Sequence, residues 1–188
     1  MTSRLVRGAT PAGDPDLADV RAAQAERPAF GALYRRYVDR VYGYSFYLLG
    51  DHHDAEDVTE RTFLAALAAI EGFRDEGASF RAWLFRIAHN EVANALRRRR
   101  RHRAAQLDAL AEPVVDDDPA RHVARAEETR RLRGALEALP DDRRQVVVLR
   151  FVDGLSAAEI GAVLGRSEGA VRVLQHRALR QMAELLGR

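Results

Sequence analysis

The sequence predicts an all-α protein of two small helical domains joined by a flexible linker, the second domain a helix-turn-helix, and three observations carry that expectation. Apolar residues recur at steps of three and four through two blocks, 14–103 and 128–188, which is the helical period. The N-terminal block holds no period-two alternation and no Asn-Gly hairpin signal. Between the blocks, residues 104–127 contain two prolines, an acidic run and only a weak apolar period, so they read as a linker.

In the first block, residues 1–13 are rich in Gly, Pro, Thr and Arg and are expected to form a flexible tail. A short helix is expected from Asp16 to Ala25, and Pro28 suits the first turn of a longer one. The latter carries Phe30, Leu33, Tyr34, Tyr37, Val38, Val41 and Tyr42 on one face and ends near Gly50. Ala55, Val58, Thr62, Ala66 and Ile70 mark a third helix that stops at Gly72. A loop from Glu71 leads to Ser79, a candidate N-cap for the fourth helix, FRAWLFRIAHNEVANALRRRRRHR.

That fourth helix shows an apolar stripe of Phe80, Trp83, Leu84, Ile87, Ala88, Val92 and Ala95, then five consecutive arginines, Arg97 to Arg101, and Arg103. Trp83 falls within the stripe and is assigned to the core rather than to base stacking. Crowded guanidinium groups repel one another unless a polyanion neutralises them, although cations also suit a helix C-terminus. Nucleic acid is the polyanion this pattern points to.

The second block opens with a stripe of Leu132, Leu136 and Leu139 that Pro140 interrupts and Val146, Val147 and Leu149 resume. Ser156 and Glu159 have capping-box spacing ahead of Ile160, Val163 and Leu164; Gly165 ends that helix and Ser167 caps the next. Val171, Leu174, Ala178, Met182 and Leu185 are expected to face inward, with the small Ala158 where the two helices cross, a helix-turn-helix. The exposed side of the second helix then presents Glu168, Arg172, Val173, Gln175, His176, Arg177 and Arg180. Glu168 and Arg172 are best placed for base edges, Arg177 and Arg180 for phosphates.

The chain has 188 residues, 47% hydrophobic and 31% charged, which is ordinary for a soluble protein. Its net charge is only +2, yet acidic residues gather at Asp51–Glu60 and Glu112–Asp118 and basic ones at Arg97–Arg103. Segregation of this kind suits interaction surfaces. Cysteine is absent, which excludes disulfides, thiolate catalysis and cysteine-based metal sites. No run approaches the roughly 20 apolar residues of a membrane span, and MTSRLVRGATPAGDPD lacks a signal-peptide core, so a cytoplasmic location is expected. His52, His53, Asp54, Glu56 and Asp57 have no established metal-ligand spacing, and no phosphate loop or nucleophile elbow occurs. No cofactor, metal or catalytic residue is therefore expected. A dimeric helix-turn-helix regulator, which would need a dimerisation surface and a palindromic site, is the rival reading.

Three stretches together resemble the extracytoplasmic-function class of bacterial sigma factors: AFGALYRRYVDRVYGYSFYLLGDHHDAEDVTERTFLAAL, FRAWLFRIAHNEVANALRRRRR and ALEALPDDRRQVVVLRFVDGLSAAEIGAVLGRSEGAVRVLQHRAL. The resemblance implies a region 2 type domain over 14–103 and a region 4 type domain over 128–188. It implies that Asp54, Glu56, Asp57, Glu60 and Phe63 bind the polymerase core. It assigns the minus-ten element to the Glu71–Phe80 loop with Phe80, His89, Asn90, Asn94, Arg97, Arg98 and Arg101. It assigns the minus-thirty-five element to Ser167, Glu168, Arg172, Val173, Gln175, His176, Arg177 and Arg180. The implied partners are polymerase core (β and β′ subunits), promoter DNA and an anti-sigma factor that can hold the protein near the inner membrane, with a monomer when free. The chain departs from the family pattern at Glu60 and Arg61, where Gln and Glu are frequent, at Asn94, where Asp is common, and at Leu174 and Gln175 on the recognition helix.

Overall fold

The computed structural model describes residues 14–75, 78–105 and 131–187, and no strand occurs among them. The expected tail, 1–13, and nearly all of the expected linker, 104–127, lie outside the described residues.

The N-terminal domain consists of α1 (Leu17–Ala25), a 3₁₀ turn (Arg27–Ala29), α2 (Phe30–Leu49), α3 (His52–Ala69), a second 3₁₀ turn (Ile70–Gly72) and α4 (Phe80–Ala105). Helix α2 ends because Gly50 takes φ +70°, a left-handed conformation costly for any residue with a Cβ. Asp51 then accepts a hydrogen bond from the Asp54 N–H and starts α3. Leu33, Tyr44, Val58, Ile70, Phe80, Leu84 and Phe85 fill the core and are fully buried. Trp83 is half-buried and packs against Phe73 and Phe80, with ring centroids 5.3 and 5.5 Å away, at the edge of the core rather than within it. Tyr34, expected inward, is 45% exposed at the edge of the α2–α3 seam.

In the C-terminal domain, α5 is helical over residues 131–137. Helix α6 (Asp141–Val147) runs on as a π-helical turn through Val148–Val152, followed by α7 (Ala157–Leu164) and α8 (Glu168–Leu186). The capping box forms as its spacing predicts: Ser156 Oγ accepts the Glu159 N–H, and Glu159 accepts the Ser156 N–H at 2.9 Å. Gly165, at φ +65°, ends α7, and Ser167 accepts the Ala170 N–H to start α8. The helix crossing differs from the expectation. Ala158 is exposed, and the small residue that the crossing demands is Gly161, whose added Cβ would lie 2.6 Å from the Arg166 carbonyl oxygen. Leu132 and Leu185 are also partly exposed, because the stripes outrun the surface that covers them.

The two domains touch. Val148, Leu149, Leu155 and Ile160 belong to the same apolar cluster as Leu84, Phe85 and Ala88, while Leu136, Leu139, Val147, Ala178 and Met182 form a smaller one. Asp153 is fully buried in this region, and neither carboxylate oxygen has a hydrogen-bond partner. Burial pushes its carboxyl up to about 7, against the lowering pull of Arg40 on α2 and Arg81 on α4. Its charge in turn adds to the burial that raises the Tyr44 phenol.

Two outcomes follow from this packing. Gly161→Ala should destabilise the C-terminal domain by about 1–3 kcal/mol, read as a lowered Tm, because backbone rather than a movable side chain receives the new methyl. Because Asp153 holds its proton more tightly when buried than its ordinary value of 3.8, its contribution to stability is full below about pH 4 and is lost as pH rises to about 7. Asp153→Asn should remove that dependence and raise stability at pH 8 by on the order of 1–3 kcal/mol, measured by urea denaturation across the pH range.

Candidate functional site

Three surfaces gather the residues singled out from the sequence. The first is the C-terminal half of α4. Asn94, Arg97, Arg98 and Arg101 line one concavity of about 340 Å³, with Arg97 Nη2 donating to Asn94 Oδ1. Asn90 is exposed one turn earlier. Among the described residues the ion pairs of the arginine run belong to Arg99 and Arg100. Arg99 donates to the Leu49 carbonyl at 2.7 Å, closing the end of α2, and pairs with Asp54 and Asp51 at the start of α3. Arg100 pairs with Asp141 of α6 at 3.7 Å. Part of the run is thus structural, and the signal was present: Arg99 continues the spacing of the buried Ala88, Val92 and Ala95.

Two residues expected on this surface sit otherwise. Phe80 is 0% exposed, its ring among Tyr37, Phe73 and Trp83, so it is core and offers no side-chain surface to DNA. His89 is half-buried against the Tyr44 hydroxyl at 3.2 Å, and burial lowers its pKa, so at neutral pH it brings no charge.

The second surface is the N-terminal half of α8. Ser167, Glu168, Arg172, Val173, His176, Arg177 and Arg180 are exposed and Gln175 is half-buried, as the helical phase predicts. Arg172 pairs with Glu168 one turn before it, and Arg180 with Glu184 one turn after. Such exposed pairs contribute little to stability and exchange readily for a stronger partner. Leu174, one of the departures noted above, is buried and belongs to the core side of the helix.

The third surface is a groove of about 730 Å³ between α2 and α3. Phe30, Tyr34, Val38, Phe63, Leu64 and Leu67 make its apolar floor, with Glu56, Glu60, Asp39 and Arg27 on its rim. Phe63 is itself nearly buried, with the Tyr34 ring 4.8 Å away, and contributes an edge rather than a whole side chain. Leu64, 59% exposed beside it, carries no signal in the sequence because it lies off the apolar stripe of α3. Asp57 is exposed and pairs with Arg61, whereas Asp54 is occupied by Arg99.

A basic helix end, a helix-turn-helix with an open second helix and a half-apolar acidic groove, on one all-α chain, have a counterpart in the sigma-70 architecture. The sigma-70 region 2 family matches residues 33–102 and the sigma-70 region 4 family matches residues 129–182. The chain is 40% identical over 182 residues to the ECF RNA polymerase sigma factor BldN of Streptomyces coelicolor, covering 94% of this chain and 69% of that one. It is 36% identical to the RNA polymerase sigma factor CarQ of Myxococcus xanthus, over 89% of this chain and 94% of CarQ. It is 35% identical to the ECF factor SigE of Mycolicibacterium smegmatis, of which it spans 66%. Among solved structures, CnrH in complex with the cytosolic domain of CnrY is similar with a TM-score of 0.71 at 29% identity, over 92% of this chain and 97% of that one. The chain belongs to the ECF class of RNA polymerase sigma factors, a family of non-enzymatic initiation factors.

The division of labour within the arginine run has a direct test. Arg97→Ala, Arg98→Ala and Arg101→Ala should each reduce the salt slope of DNA binding by about 0.9, one phosphate contact apiece. Arg99→Ala should leave that slope unchanged and instead lower thermal stability by about 1–2 kcal/mol, since it uncovers the α2 carbonyl end and the Asp54 carboxylate.

Proposed function

We propose that this protein binds RNA polymerase core through the α2–α3 groove and its acidic rim, with Glu56, Asp57 and Glu60 giving register and Phe63 and Leu64 giving apolar contact. A charged rim around an apolar floor suits a basic, amphipathic helical partner, since charge speeds encounter and the buried centre supplies affinity. On promoter DNA, the Glu71–Ser79 loop and the Asn90, Asn94, Arg97, Arg98 and Arg101 side of α4 take the minus-ten element. Pulling a base from the stack costs a few kcal/mol, which that loop must offset by stacking and hydrogen bonds. The α8 face, led by Glu168 and Arg172, takes the minus-thirty-five element in the major groove. The boundaries proposed are 14–103 for the polymerase-binding and minus-ten domain and 128–188 for the minus-thirty-five domain, with 104–127 as linker.

The observation that supports this reading is that two exposed surfaces rich in arginine lie on different domains of one chain, with a half-apolar acidic groove as a third. An anti-sigma protein is the proposed regulator. Two solved structures similar to this chain hold a second polypeptide: CnrH has the cytosolic domain of CnrY, and the Bartonella quintana sigma factor RpoE has the anti-sigma factor NepR, the latter with a TM-score of 0.71 at 25% identity. No helix of the described residues is long and apolar enough to cross a membrane, which supports action in the cytoplasm with any membrane tether supplied by the partner.

Run-off transcription with purified core polymerase, on DNA upstream of this gene and its neighbours, tests the reading. Specific transcripts should require the protein and fall at least tenfold with Asp57→Arg or Arg172→Ala, the scale set by one well-formed polar interaction at an interface. Tight duplex binding without stimulation of any core enzyme would instead favour the dimeric regulator.

A further inference from the structure

The outward face of α8 holds an apolar residue that neither the fold nor helix propensity accounts for. Val173 is 50% exposed, more than any other apolar side chain of α8, and lies in the second turn after the Ser167 cap. The buried residues of that helix are Val171, Leu174, Ala178 and Met182, and Val173 points away from them. A β-branched residue is a poorer helix former than alanine or arginine, and at a solvent-facing position no packing offsets that cost.

Its surroundings are those of a base-reading position. At about 3.6 residues per turn, Gly169, Val173, His176 and Arg180 fall within about 60° of one another around the helix, on the side opposite the core. Gly169 has no side chain, and a Cβ built there meets nothing within 4 Å, so the first turn of this face is low and open. Val173 is the first side chain to stand up from the middle of the face. Arg172 beside it is drawn back toward the helix start by Glu168, Nη2 to Oε1 at 2.5 Å. Arg177 and Arg180 are exposed farther along, where phosphates can be met. A valine in a helix is stiff at χ1 and presents both methyl groups in essentially one orientation, so little freedom is lost when they are covered.

Among the groups that base pairs present in the major groove, the C5 methyl of thymine is the apolar one. We infer that Val173 reads that methyl, so that the minus-thirty-five element carries a thymine where this side chain meets the groove. This rests on the assignment of α8 to the major groove. The neighbouring side chains read by other chemistry, the Arg172 guanidinium suiting guanine O6 and N7 and the Glu168 carboxylate suiting the cytosine amino group. Val173 supplies the position that those polar groups leave unread. It favours thymine over uracil, which pairs identically but lacks the methyl, and over cytosine, which offers an amino donor that valine cannot satisfy.

The full-length protein with core polymerase, on a promoter active in run-off transcription, provides the test. Each thymine of the minus-thirty-five element, on either strand, is replaced singly by uracil, which removes one methyl group and leaves pairing intact. Affinity in competition binding should fall by about fourfold at one position, the worth of one buried methyl group, and by little elsewhere. Val173→Ala should bind the thymine promoter about fourfold less well, with unchanged helicity by circular dichroism. Uracil at the sensitive position should then cost that variant nothing further, because both changes remove the same contact. An element lacking thymine, uracil tolerated at every position, or a penalty that persists at full size in Val173→Ala would overturn the inference. A protein that binds duplex DNA yet stimulates no core enzyme would count against the sigma-factor reading, while the same uracil series on the duplex it selects still decides the role of Val173.

Discussion

A single carboxylate, that of Glu159, serves two levels of the structure. Within its own domain it completes the capping box, accepting from the Ser156 N–H at 2.9 Å and the Ser156 hydroxyl at 2.8 Å, and so sets where α7 begins. The start of α7 sets where Gly161 meets the turn, and that close approach sets the angle at which α8 presents its exposed face. Across the junction the same group holds Arg81 and Ser79. An ionised carboxylate has about four acceptor positions, and here they are filled from three directions. The local fold of the C-terminal domain and its placement against α4 are therefore linked through one side chain.

The arginine run illustrates how a uniform sequence is given unequal work by its surroundings. Arg97, Arg98 and Arg101 share a concavity with Asn94, on the side of α4 away from the core. Arg99 lies a hundred degrees or so around the helix from its neighbours, as about 3.6 residues per turn requires, and there it meets the carbonyl end of α2 and the acidic start of α3. Those two helix ends present negative partial charge and carboxylates, so a cation between them satisfies both. The run's charge density suits a polyanion, and its phase also provides a structural clamp.

The groove between α2 and α3 combines features that the linear sequence separates. Phe30 and Tyr34 on one helix and Phe63, Leu64 and Leu67 on the next form a floor whose exposed part is mainly Tyr34 and Leu64, with three carboxylates and Arg27 on its rim. The acidic rim stands out in the sequence because Glu56 and Glu60 lie one helical turn apart within the acidic stretch. The apolar floor does not, since Tyr34 shares the stripe of the buried residues of α2, Leu64 lies off that of α3, and only the packing of the two helices brings them together.

Helix content, the order of the elements, the caps at Ser79, Ser156 and Ser167, the stops at Gly50 and Gly165 and the outward face of α8 were all determined by the sequence alone, because each depends on residues within one or two turns of one another. The tertiary structure decided the rest. Phe80 became core and His89 a half-buried neutral partner of Tyr44, because other helices close over that side of α4. Gly161 rather than Ala158 took the crossing, since helical phase decides which small residue meets the turn. The pairing of Arg81 with Glu159, 78 positions apart, and the burial of Asp153 depend on how one domain lies against another. No local period encodes that arrangement, because it is set by the summed packing of surfaces distant in the chain.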